Sequence, residues 1–182
     1  MRTDGNLLQT ESGEKTLSVV WLAFVAIMVA AAVTDVLSYR IPNGLVIALF
    51  ALFVVAAAVN WSEVPWLSHA AAAIIIFCAG ALLYAIRQMG AGDVKLLAVA
   101  ALWSGLFPLP RLMVFVSFCG LIGVLVIFAL RMIVPHLQPT GPSGKRALPR
   151  VLTKGQGIPY AIAIGPGAII ATSGFEPWLW RW

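Results

Sequence analysis

Apolar positions fall into six runs separated by polar gaps: Leu17–Thr34, Asn43–Asn60, Leu67–Ile86, Asp93–Phe107, Leu112–Val134 and Ile158–Gly174. At about 1.5 Å per residue, the first run covers about 27 Å, close to the hydrocarbon thickness of a bilayer. The pattern predicts an all-α membrane protein of about six transmembrane helices. Pro42 suits the start of the second helix, because a first-turn proline gives up no needed N–H. Pro108 and Pro110 end the fourth run, which is short. Trp61 and Trp66 bracket the second gap, and Trp178, Trp180 and Trp182 follow the last run; all suit a membrane–water boundary.

The runs define a membrane domain over 17–174. Residues 1–16, polar and mixed in charge, read as a flexible N-terminal tail. Residues 135–157 form a loop rich in proline, glycine and basic side chains, and 175–182 an interfacial C-terminal tail. Ala30-Ala31-Ala32 gives the first run a second reading, as a cleaved signal peptide. The long preceding tail without net positive charge favours a retained span.

Composition agrees: 61% of residues are hydrophobic and 10% charged, where a soluble domain carries roughly 25% charged. The net charge of +5 does not spread over a surface. Basic residues sit in the gaps, without the aromatic interleaving of a nucleic-acid site, so the expected partners include membrane lipids and no nucleic acid. With six spans, one side collects Arg40, Arg87, Lys95, Arg131, Lys145, Arg146, Arg150 and Lys154, the other Arg2, Lys15, Arg111 and Arg181. The richer side is expected to be cytoplasmic, which puts both termini outside and makes the chain a multi-pass protein of the inner (cytoplasmic) membrane. The basic loop is read as a topogenic, lipid-facing segment.

Of the acids, only Asp35 and Asp93 fall on the basic side. Asp35 ends the first run and Asp93 begins the fourth. Each borders hydrocarbon, where an ionisable group costs a few kcal/mol and marks a functional site by default. Each is the other's only plausible acidic partner. Two carboxyls sharing a proton can hydrolyse a peptide bond: the ionised one takes a proton from attacking water, the protonated one polarises the scissile carbonyl. Neither metal nor cofactor is called for. His69 and His136 fall in different gaps and are not expected to be catalytic; Cys78 and Cys119, without metal-ligand spacing, read as small core residues.

Gly90-Ala91-Gly92, just before Asp93, lets the backbone turn sharply and approach a substrate, or merely punctuates two helices. Lys95 either contacts the substrate backbone or snorkels to the interface. Tyr160 either anchors the last helix or lines a cleft.

Together these motifs resemble those of the type IV prepilin peptidases. Asp35, followed after five residues by Ile41-Pro42-Asn43, is similar to their first signature. Gly90-Ala91-Gly92-Asp93-Val94-Lys95-Leu96 is similar to their second, the Gly-x-Gly-Asp signature of intramembrane aspartic proteases. Ile158-Pro159-Tyr160-Ala161-Ile162-Ala163 resembles a C-terminal Pro-Tyr-Gly-x-Ala segment, with Ala161 in place of its glycine. The Cys-rich segment that accompanies N-methylation is absent, so the chain resembles the shorter peptidases of tight-adherence (Flp-type) pili. The resemblance implies an aspartic endopeptidase acting on a prepilin or pseudopilin whose short basic leader ends in glycine before an apolar helix. It implies Asp35 and Asp93 as catalytic, with Gly90, Gly92, Lys95, Pro42 and Asn43 shaping the site.

Two other classes remain in view: a small ion- or proton-coupled transporter, and a non-catalytic subunit of a pilus or secretion machine. Placement of both acids at helix ends on one side, rather than at the midplane, argues against transport. Within the pair, Asp93 opens a helix and Asp35 closes one, so the macrodipole assigns Asp93 as ionised base and Asp35 as holder of the proton.

Overall fold

A computed structural model describes residues 5–59, 61–62, 64–137 and 159–173. The described residues form six α-helices: α1 Gly5–Ser38, α2 Asn43–Val59, α3 Trp66–Ala85, α4 Ala91–Ser104, α5 Leu109–Leu137 and α6 Ala161–Thr172. Three stretches are long and apolar enough to cross a membrane: Ser18–Ser38, Trp66–Ala85 and Leu109–Ile133. The other three helices are shorter, at 17, 14 and 12 residues for α2, α4 and α6.

The short helices α4 and α6 are the middle of the bundle. Eight of the 14 residues of α4 and seven of the 12 of α6 are buried, against four of 20 in α3. Helix α4 packs on α2, α3, α5 and α6; α1 packs on α2 and α6, and α5 on α6. The largest fully buried side chains come from five helices: Phe24 and Met28 of α1, Leu49 of α2, Leu96 of α4, Leu112 of α5 and Ile164 of α6.

Contacts fix the directions. Gly80 meets Val94 and Ser68 meets Leu106, so α3 and α4 are antiparallel. Lys95 bonds Asn43 while Trp103 Nε1 donates to Leu49 O at 3.1 Å, so α2 and α4 run parallel. Arg111 reaches Ser173 O, which sets the start of α5 beside the end of α6. Asp35 meets Ala161, which sets the end of α1 beside the start of α6. Odd and even helices therefore alternate in direction. The starts of α2, α4 and α6 share one end of the bundle with the ends of α1 and α3.

In a bilayer the lipid tails are as apolar as the side chains, so close backbone approach holds helices together. Helix α6 uses this device on two sides. A Cβ on Gly167 would lie 2.6 Å from Val116 Cα of α5, and one on Gly165 3.2 Å from Met28 O of α1.

Several expectations change. Helix α1 begins at Gly5, inside the stretch read as a flexible tail: its Leu, Gln, Glu and Lys residues suit a helix that extends from the apolar run, and no proline interrupts them. Helix α5 takes in Pro110 and Pro135, so the first residues of the basic loop are helical; a proline in the first turn, such as Pro110, loses no intrahelical bond. Cys78 is exposed and Cys119 half-buried, so neither is a core residue; on a spanning helix an apolar position can face lipid instead of protein. His136 falls in the last residues of α5, whereas residues 138–157 of the basic loop and the C-terminal tail lie outside the described residues.

Candidate active site

Asp35 occupies the last turn of α1, and Asp93 the first turn of α4. Both are buried, 5% and 9% exposed, and with His69 they are the buried polar or charged side chains of the described core. They lie near enough for the charge of Asp35 to act on Asp93. The two acids that the sequence pairs are thus brought together across 58 positions by the alternation of the helices.

Asp93 is held by its own helix start. Gly90 is the N-cap of α4 and Asp93 stands three residues on, where a side chain reaches back to the N-cap N–H. A backbone hydrogen bond from Gly90 meets the carboxyl in this way. The two glycines make room rather than supply a turn. Gly90 has φ −75° and ψ 146°, open to any residue. A Cβ there would instead lie 2.7 Å from Asp93 Oδ2, and one on Gly92 3.2 Å from Ile41 Cβ. Gly92 therefore seats the Ile41-Pro42-Asn43 segment against the first turn of α4. The left-handed residue of the α3–α4 connection is Arg87, just past α3, with φ 60°, and Tyr39 plays the same part just past α1, with φ 52°. Nothing in their side chains signals the left-handed conformation.

Asp35 is held by a helix distant in sequence. The backbone N–H of Ala161, first residue of α6, donates to Asp35 Oδ2 at 3.1 Å. This overturns the premise of the helix-end argument. Asp35 closes α1 but also faces the start of α6, so both carboxyls sit at helix N-termini and the macrodipole no longer separates their roles. The main-chain donor was invisible to a reading of side chains; the resemblance of 158–163 to a family segment was the available signal.

Lys95 is exposed and donates to Asn43 Oδ1 at 3.2 Å, tying α4 to the start of α2 at the rim of the site. Pro42 is exposed beside it, and Tyr160 is exposed at the N-cap of α6. Beside Gly90, the turn after α3 forms a depression of ≈ 510 Å³ lined by Tyr84, Ala85, Arg87, Gln88, Met89 and Gly90. Two buried polar atoms have no hydrogen-bond partner among the described residues, Asp93 Oδ1 and Tyr39 Oη. Among the described residues no three His, Cys, Asp or Glu groups gather to hold a metal ion. His69 lies at the far end of α3, its Nδ1 2.6 Å from Leu102 O, well away from the acids.

Residues 22–127, from α1 through most of α5, match the sequence model of the Type IV leader peptidase family. The matched stretch holds Asp35, Ile41-Pro42-Asn43 and the segment around Asp93; α6 lies beyond it. No curated protein and no solved structure matches significantly. The match covers more than half of the chain, and the chain belongs to the Type IV leader peptidase family.

Proposed function

We propose that the protein is a membrane-embedded aspartic endopeptidase that removes the short leader from prepilins or pseudopilins at the cytoplasmic face of the inner membrane. The observation that carries this reading is the burial of two carboxyls, at the end of α1 and the start of α4, at the same end of the bundle. The family supports a peptidase, and two paired acids supply the chemistry. Asp35 and Asp93 act as a unit that carries one proton. The ionised member takes a proton from water as it attacks the scissile carbonyl, and the protonated member donates to the carbonyl oxygen. Asp93 Oδ1, with no hydrogen-bond partner among the described residues, is free for this work. The apolar helix of the substrate lies alongside the spans, and the leader enters from the rim formed by Asn43, Lys95 and the depression beside Gly90. Gly90 and Gly92 shape the site as described, and leader cleavage proceeds without methylation.

The basic residues described at this end, Arg40, Arg87, Lys95 and Arg131, support a cytoplasmic orientation. The test is cleavage by the purified full chain in lipid vesicles. The substrate is a synthetic peptide with a basic leader ending in glycine before an apolar helix. Mass spectrometry should show one cut at the end of the leader; an intact peptide after long incubation rejects the reading.

A further inference from the structure

Asp35 is tied to α6 through an atom that no side-chain signature records. Ala161 is the first residue of α6, so its N–H has no carbonyl of its own helix to bond. Asp35 Oδ2 takes that bond at 3.1 Å, and Ala161 is fully buried around it. A bond from a backbone donor to a carboxylate is charge-assisted, shorter and stronger than a neutral one, and it fixes the plane of the acceptor. With Oδ2 committed, Oδ1 is left for the reaction.

The donor is itself seated. Four residues beyond Ala161, Gly165 lies against Met28 O of α1, the helix that carries Asp35. Two residues further, Gly167 lies against the Val116 backbone of α5, where even one methyl carbon has no room. On the same contact Ala163 meets Gly120, and Ile162 meets Gly123. Helix α6, at 12 residues, is short, and most of it is buried. Its seating fixes where its first N–H falls.

We infer that the main-chain N–H of Ala161 is a positioning group for Asp35, and that α6 is a glycine-seated wedge whose start orients this carboxyl for catalysis. The inference rests on the aspartic-peptidase reading above. It also accounts for alanine standing where the resembled segment has glycine: the donor belongs to the main chain, so either residue supplies it.

The test replaces the Ala161 amide by an ester in the full-length chain, by incorporating the α-hydroxy analogue of alanine. This deletes the N–H and leaves the side chain unchanged. An ester at Ile162 introduces the same lesion one residue on and serves as the control. Three measurements are made: kcat and KM on the synthetic leader peptide in vesicles, and the carboxyl stretch of Asp35. The last is isolated by carbon-13 aspartate labelling and subtraction of an Asp35→Asn spectrum; the chain has three aspartates, Asp4, Asp35 and Asp93.

The Ala161 ester should lower kcat about ten- to hundredfold, the range for loss of a hydrogen bond to a charged group, and leave KM within about twofold. It should also shift the Asp35 band. The Ile162 ester should leave kcat within about twofold and the band in place. Unchanged kcat and band in the Ala161 ester, with Asp35→Asn inactive, overturn the inference and leave the peptidase reading standing. Equal losses in both esters also overturn it, since the lesion then acts on the helix start alone. Full activity of Asp35→Asn overturns the peptidase reading itself.

Discussion

At the end of the bundle away from the acids, α3 closes the last turn of α4. His69 Nδ1 donates to Leu102 O, Ser68 Oγ accepts the Leu106 N–H at 2.9 Å, and Gly105 N bonds Ala101 O. The His69 ring packs on Phe53, which also meets Trp66 and Trp103. At the end that holds Asp35 and Asp93 the same materials, helix termini and buried polar side chains, are used differently. Two carboxyls are buried together, Asp93 Oδ1 and Tyr39 Oη lack partners among the described residues, and Tyr39 and Arg87 hold left-handed backbone. A buried unpaired polar group costs about 1–3 kcal/mol, and a non-glycine residue in such a conformation about the same. One end is satisfied and contributes stability; the other carries unmet bonds and strain, as sites built for chemistry do. Substitutions at the two ends should therefore separate activity from stability.

The largest separation is expected at the acids. Asp35→Asn and Asp93→Asn should each lower leader cleavage by about 10²–10⁴-fold, the usual contribution of acid–base catalysis. The double variant should lose little more, because the pair works as a unit. The melting temperature in detergent should hold or rise, since each change leaves one buried carboxyl where two shared a proton. Cleavage rates and thermal unfolding on the same preparations check this. An active single variant, or one that fails to fold, breaks the contrast between the ends.

How much of this was legible in the sequence differs along the chain. Helices α2 and α3 follow their apolar runs to within a residue at each end, because Pro42 and Pro65 stand just before their starts and the polar gaps are short. The pairing of Asp35 with Asp93 was legible because acids at the edge of hydrocarbon are costly and these two fall on one side. The support of Asp35 was not: Ala161 lies 126 positions away and contributes a backbone atom, which carries no composition signal. The glycines beside Asp93 were noticed for the wrong physical reason. They look like turn formers, yet they serve as gaps that a carboxyl and Ile41 fill. The start of α1 was missed because polarity marks where a span ends and says little about where a helix ends.

The opposite end predicts the reverse behaviour. His69→Ala removes a ring packed on Phe53 and leaves Leu102 O buried without its donor. The two losses together should destabilise by about 3–4 kcal/mol, from a cavity plus an unmet carbonyl. Activity per folded molecule should stay near wild type, because His69 and the acids occupy opposite ends of α3 and α4. Unfolding in detergent measures the first quantity; cleavage normalised to the folded fraction measures the second. A loss of normalised activity comparable to that of the aspartate variants would show that the two ends are not independent.

The smallest effect isolates backbone strain from packing at that same end. Gly105 ends α4 with φ 78° and ψ 175°, a region open essentially to glycine alone. A Cβ placed there would meet Ser68 Oγ at 3.4 Å and His69 Cε1 at 3.5 Å, ordinary contact distances. Space is therefore available, and the cost of Gly105→Ala is dihedral: about 1–3 kcal/mol, below the His69 value. The clip between α3 and α4 survives, because its donors and acceptors are unchanged. Unfolding of Gly105→Ala, His69→Ala and the double variant separates the possibilities. Additive losses mean that strain at Gly105 and packing at His69 are independent. A double variant no less stable than His69→Ala alone means that the ring holds Gly105 in place, and that the end read as satisfied also stores strain of its own.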